Sequence, residues 1–157
     1  MSKDINKLLD FINKKEEMVA MVAPSFLVDF KYPEIVRKLR GIGFNKVVEV
    51  SAGAIETNKQ LRALFKLHPD RKYISNACPG IVYLIKKQYP NLVDDLTPID
   101  TPMIATAKIV AEKYPNHKKV FIGPCLMKKK EAEDSSLDIL VLTYQELSKV
   151  FKNKDIK

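Results

Sequence analysis

The sequence predicts an α/β protein, a mostly parallel sheet of about four or five strands with helices on both faces. Two observations predict it. Val19-Ala20-Met21-Val22-Ala23 and Ile139-Leu140-Val141-Leu142 are unbroken apolar runs, and such runs mark strands covered on both faces, where a half-exposed strand would alternate. Between the runs lie segments with apolar residues at helical spacing, and strands that alternate with helices pair in parallel.

The elements follow in order. Ile5, Leu8, Leu9 and Ile12 recur at intervals of three and four, which predicts an amphipathic helix. It occupies residues 1–18, ahead of an α/β unit over 19–157. Pro24 ends the first strand, and Pro33 starts a helix with Ile35, Val36 and Leu39 inward, closed by Gly41 and Gly43. Gly41-Ile42-Gly43 follows a helix and precedes a strand, the reverse of a dinucleotide fingerprint, so helix termination accounts for it. Val47-Val48-Glu49-Val50 is the second strand. Ser51-Ala52-Gly53-Ala54 reads as a turn without a P-loop's glycine-lysine pattern, leading into a helix with Leu61, Leu64 and Phe65 on one side.

Tyr73-Ile74-Ser75 is expected as a short third strand ending near Cys78, and the helix from Pro79 to about Tyr89 to bury Ile81, Leu84 and Ile85. Thr101-Pro102 opens another helix, with Met103, Ala107, Val110 and Tyr114 in a stripe. Val120-Phe121-Ile122 is the fourth strand. Ile139 to Leu142 is the fifth, followed by a helix carrying Tyr144, Leu147 and Phe151. In such sheets ligands gather beyond the carboxyl ends of the strands. Ala23-Pro24-Ser25, Ser51-Ala52-Gly53, Ala77-Cys78 and Gly123-Pro124-Cys125 all fall on that edge, which makes the two cysteines neighbours in the expected fold.

Composition narrows the function classes. With 46% hydrophobic and 29% charged residues, the 157-residue chain has the makings of one soluble domain with a real core. No apolar run approaches the ~20 residues that span a bilayer, and Met1-Ser2-Lys3-Asp4-Ile5 lacks the features of a signal peptide. The expected location is the cytoplasm, where a structural disulfide does not persist. The net charge of +8 comes from scattered lysines with no interleaved aromatic residues, so solvated faces account for it and neither nucleic acid nor membrane is expected as a partner. His68 and His117 have no partner at metal-ligand spacing and read as surface residues.

The chemistry is concentrated in Cys78 and Cys125, the two cysteines of the chain. Cys78 precedes Pro79 and opens a helix, whose N-terminal dipole favours a thiolate, the metal-binding form. Cys125 runs into Lys128, Lys129 and Lys130, and neighbouring ammonium groups favour the same form. Lys128 stands where its ammonium would meet an anionic ligand of the same metal, and Glu131 is placed to orient it. The competing account is a pair of buried, inert thiols and a basic run on a solvated helix.

At these residues the chain resembles the catalytic-domain family of the iron-only ([FeFe]) hydrogenases. Ile74-Ser75-Asn76-Ala77-Cys78-Pro79-Gly80-Ile81 is similar to that family's Thr-Ser-Cys-Cys-Pro-Gly-Trp motif, and Gly123-Pro124-Cys125-Leu126-Met127-Lys128-Lys129-Lys130-Glu131 to its Met-Pro-Cys-x-x-Lys-x-x-Glu. The likeness extends in the same order over Ala23-Pro24-Ser25, Tyr89-Pro90-Asn91-Leu92, Thr101-Pro102 and Leu142 to Leu147. The resemblance implies a six-iron H-cluster, a [4Fe–4S] cubane joined to a diiron subcluster bearing cyanide and carbon monoxide. It implies Cys78 and Cys125 as cubane ligands, Lys128 as a hydrogen-bond donor to a cyanide, and Pro24, Ser25 and Glu131 about the same pocket. Implied partners are a downstream lobe of the same domain and an electron-carrier or iron–sulfur domain.

The departures matter as much. Ala77 stands where hydrogen-producing members have a proton-passing cysteine, Met103 where many have a glutamine, and Gly123 where the second motif has methionine. The third motif, with two further cubane cysteines, does not occur, so the chain corresponds to the first lobe with the second missing. The resemblance thus implies a sensory or low-turnover hydrogenase-like protein rather than a fast ferredoxin-linked hydrogenase. Alternatives are a fragment of a high-turnover enzyme or an iron–sulfur assembly factor relative. By itself the chain is expected to hold no stable H-cluster and to be inactive.

Overall fold

Four apolar runs pair side by side in a computed structural model that describes residues 2–153. Strands β1 (Met18–Val22), β2 (Lys46–Glu49), β3 (Lys118–Gly123) and β4 (Ile139–Thr143) form an all-parallel sheet in the order β2-β1-β3-β4. Every residue of β1 and of β4 is buried, as unbroken apolar strands require. Among the described residues seven α-helices accompany them: α1 (Lys3–Asn13), α2 (Glu34–Gly41), α3 (Ser51–Leu67), α4 (Pro79–Gln88), α5 (Pro102–Lys113), α6 (Met127–Asp134) and α7 (Tyr144–Asn153). The lysine-rich tail beyond Asn153 lies outside the described residues.

The sheet divides the core by side-chain alternation. Ala20, Val22, Val120, Ile122, Leu140 and Leu142 pack with α1, α2 and α7 on one face. Val19, Met21, Phe121 and Val141 pack with Met103, Ala107 and Val110 of α5 on the other. Ile5, Leu8 and Phe11 of α1 belong to the first of these clusters, so that helix is built into the core. The chain moves one way from β1 to β2 and the other way from β1's far side through β3 to β4. The strand order therefore reverses between β1 and β3, and the crevice at their carboxyl ends is where such folds receive ligands.

Some expectations require correction. Tyr73-Ile74-Ser75 is no strand of the sheet: Ile74 makes a lone parallel bridge with Leu96, the pairing of two short edges outside the sheet. The sheet accordingly has four strands among the described residues, within the expected four or five. Pro33 caps α2 rather than beginning it, and Gly43, with φ of 112°, closes it through Phe44 N–H to Leu39 O and Gly43 N–H to Arg40 O, a Schellman ending. Ser51 to Ala54 is the first turn of α3, not a separate turn. A Cβ on Gly53 would lie 2.2 Å from Thr106 Oγ1 and 2.3 Å from the Pro102 carbonyl oxygen; glycine is there so that α3 can touch α5.

Helix α4 buries only Ile85 of its predicted stripe, leaving Ile81 and Leu84 exposed, because the sheet's face is already taken by α5. His117 is not a surface residue. Its side chain is 14% exposed, beside Tyr114, with Nδ1 3.6 Å from Glu17 Oε2.

Candidate functional site

The site is assembled at the carboxyl edge of the sheet by helix starts. Cys78 is the N-cap of α4, extended at φ −101° and ψ 105°, with Pro79 at the first helical position. Its own thiol makes no capping bond, so it leaves the first-turn amides of α4 unoccupied by its side chain. Asn76 fixes the preceding loop: its amide N–H donates to Thr97 Oγ1 at 3.0 Å, and its side-chain Nδ2 donates to the Ile99 carbonyl at 2.5 Å. Asp100 in turn receives Gln60 and Lys108, and Thr57 donates to its carbonyl. The loop carrying Cys78 is thereby tied to α3 and α5.

Cys125 follows β3 and sits just before α6, whose first turn is begun by Lys128 N–H donating to the Cys125 carbonyl at 3.2 Å. Both cysteines are free thiols, Cys78 exposed and Cys125 half-buried. The starts of α4 and α6 meet at Gly80: a Cβ there would stand 3.7 Å from both Cys78 Sγ and Met127 Cγ. The two segments, distant in sequence, are thus packed against each other. Gly123, at the end of β3, leaves room for the Phe121 ring, which a Cβ at 123 would approach to 2.7 Å. That ring occupies the space a methionine side chain would start from.

Lys128 and Glu131 form an ion pair at 2.5 Å, with side chains only 14% and 11% exposed. The other carboxylate oxygen of Glu131 accepts from the Thr101 hydroxyl, and Thr101 also caps α5 by accepting from Ile104 N–H. Beside them a cavity of about 410 Å³ lies between α4, α5 and α6, with Thr101, Glu131, Lys108 and Lys130 among its lining. Across the edge, Pro24 and Ser25 begin a 3₁₀ turn, Pro24–Val28. The Tyr144 hydroxyl donates to the Ala23 carbonyl at 3.2 Å, which leaves Ser25 as donor to Tyr144 at 2.8 Å. Burial pushes the Tyr144 phenol pKa up, against the opposing pull of Ser25, so it stays protonated as a donor.

Ala77 is exposed beside Cys78 and offers a methyl group at that position. Thr101 and Tyr144 are the contributors that sequence reasoning missed as site residues. Thr101 was visible as the polar residue before a helix-opening proline. Tyr144 was signalled by Thr143-x-x-Glu146, a capping box that fixes where α7 starts. Among the described residues no cluster of three or more His, Cys, Asp or Glu is placed to hold a metal. Cys78 and Cys125, both free, are two sulfur donors.

The fold and site define a parallel α/β unit with two free thiols at helix starts along its ligand edge. Comparison gives the family. A family model for the iron-only hydrogenase large subunit, C-terminal domain, matches residues 16–157, and the chain belongs to that family. It is 28% identical over 142 residues to iron hydrogenase 1 of Clostridium pasteurianum, covering 78% of this chain and 25% of that protein. Its fold is similar to a solved structure of HydA(ΔEFG), described as revealing stepwise [FeFe]-hydrogenase H-cluster assembly. There the TM-score is 0.77 at 22% identity, over 99% of this chain and 48% of that one. The chain thus spans about half of the solved chain it matches and a quarter of the clostridial protein.

Proposed function

We propose that this chain is the half of an H-cluster domain that supplies Cys78 and Cys125 to a cubane. The remaining thiolates come from a downstream lobe. The observation that carries the reading is the packing of the starts of α4 and α6 against each other at Gly80, each with a free cysteine. Exposed apolar residues on the cysteine-bearing segments support it: Leu126, next to Cys125, is 67% exposed and Ile81, on α4, is 42% exposed, and such residues are available for another protein body to cover.

When bound, the H-cluster supplies the two-electron chemistry of hydrogen. The chain's own residues do the holding. Cys78 and Cys125 offer thiolates to the cubane, while Lys128 presents a fixed ammonium to the anionic ligands of the diiron unit. Glu131 orients that ammonium, and Pro24 and Ser25 line the opposite wall. Ala77 has no group that can take or give a proton, and loss of a positioned general acid or base costs roughly a hundredfold or more in rate. The reading is therefore a sensory or low-turnover protein in the cytoplasm, served by an electron-carrier or iron–sulfur domain.

The test is reconstitution of this chain together with its downstream lobe, using iron, sulfide and a synthetic diiron complex. Cyanide and carbonyl infrared bands are expected, and Ala77→Cys should raise hydrogen evolution about a hundredfold if proton delivery is limiting. Absence of the bands would sink the H-cluster reading in favour of an assembly-factor relative. The chain alone, titrated anaerobically with iron and sulfide, should give no stoichiometric cubane absorbance.

A further inference from the structure

We infer that Thr101 is a positioning residue for Lys128, acting through Glu131. The chain of contacts is continuous. The Thr101 hydroxyl donates to one oxygen of Glu131, and the other oxygen holds the Lys128 ammonium at 2.5 Å. Thr101 is itself buried, at the start of α5, and its backbone is set by Pro102 and by the loop that Asp100 anchors. The hydroxyl is thus delivered by a rigid element, which is what a positioning group needs.

The cavity explains why such a constraint is required. Glu131 borders about 410 Å³ of open space in which Lys108 and Lys130 also stand. Both are further cations on the wall of the space that Glu131 borders. Lys108 is held by both oxygens of the half-buried Asp100 carboxylate, at 2.8 and 2.7 Å, whereas Lys130 is held by Asp134 at 2.8 Å in an exposed pair, which is weak. A single ion pair would hold only one oxygen of Glu131. A second hydrogen bond to its far oxygen fixes the carboxylate plane, and with it the direction of the Lys128 ammonium. Nothing in Lys-x-x-Glu spacing alone would do this, since residues three apart on a helix pair in several geometries.

The significance for ligand binding rests on the proposed role of Lys128, whereas the positioning itself is testable without any cofactor. The experiment measures the acylation rate of Lys128 in the full chain by mass spectrometry, with exposed lysines of the same molecule as internal reference. Thr101→Val removes the hydroxyl. Thr101→Asp retains an acceptor to cap α5 but cannot donate to Glu131 and repels it, which separates capping from positioning. Thr101→Ser keeps both roles. We expect Lys128 to react about tenfold faster in the Val and Asp variants and unchanged in Ser, the effect of losing one charge-assisted hydrogen bond. Unchanged reactivity in Asp would show that the hydroxyl acts only as a helix cap and would overturn the inference, as would equal rates in all three variants. Absence of the infrared bands in the reconstituted wild-type protein would overturn the cofactor reading alone, leaving the acylation result standing.

Discussion

Two regions of this molecule handle charge and apolar surface in opposite ways. Where α1, α6 and α7 meet, each charge is matched. Lys129 bridges Asp4 at 2.6 Å and Glu146 at 2.8 Å, while Glu146 also accepts from Ser2 and from the amide and hydroxyl of Thr143. One carboxylate thus serves a capping box, a neighbouring helix cap and an ion pair. At the other region, around the starts of α4 and α6, a thiol makes no capping bond and Ile81, Leu84 and Leu126 face solvent. The first region is satisfied by its own residues; the second leaves apolar side chains and an uncapped helix start exposed, as the proposed function requires. Thr143 pairs in register with Gly123, so the two regions are neighbours on one carboxyl edge, and substitutions should separate what each contributes.

The largest effect is expected at another closed contact, where α3 meets α5. Gly53→Ala places a methyl 2.2 Å from Thr106 Oγ1 and 2.3 Å from a backbone oxygen of α5. Neither backbone can yield without parting the helices, so the cost should be about 3 kcal/mol, the upper range of overpacking, despite alanine's better helix propensity. Urea denaturation reads this directly. A loss below about 1 kcal/mol, the size of an ordinary surface change, would mean that α3 is not seated on α5.

Glu146 comes next. Burial raises its carboxyl pKa, but the bonds from Lys129, Thr143 and Ser2 outweigh that and hold it at about 2 instead of 4.5. A carboxyl lowered on folding contributes stability that is present above its unfolded pKa and is lost as pH falls through the folded one. Between pH 4.5 and 2 the chain should therefore lose about 2 kcal/mol through this group, allowing for partial solvent screening. Glu146→Gln should lower stability by a similar amount at pH 7 and flatten that acid limb. An unchanged limb in the Gln variant would show that the charge is not what joins α6 to α7.

The same division decides how much was legible in the sequence. Strands β1 and β4 were readable because unbroken apolar runs have one meaning in a parallel sheet, and α1 because Ile5 and Leu8 of its stripe are buried, with Leu9 and Ile12 half-buried against the same core. Tyr73-Ile74-Ser75 has strand composition but pairs only once, with Leu96, since a strand is defined by partners that composition does not name. Ile81 and Leu84 were placed inward because helical period marks an apolar face without saying what covers it. The cysteines and the Lys128–Glu131 spacing were visible as motifs. Thr101's contact with Glu131 was not, for it joins residues thirty apart in sequence, and only the packing of α5 beside α6 brings them together.

The smallest effect sharpens the comparison most. Gly80, like Gly53, lies in the first turn of a helix facing another helix. A Cβ at Gly80, however, would meet Cys78 Sγ and Met127 Cγ at 3.7 Å, ordinary contact distance. Gly80→Ala should therefore leave stability within about 0.5 kcal/mol of wild type, or raise it slightly through reduced chain entropy. Paired with Gly53→Ala in the same urea experiment, it compares two helical glycines that differ in what surrounds them. A cost at Gly80 approaching that at Gly53 would mean that the cysteine-bearing helix starts are as tightly closed as the α3–α5 contact. The edge would then have no room for a bound group between them.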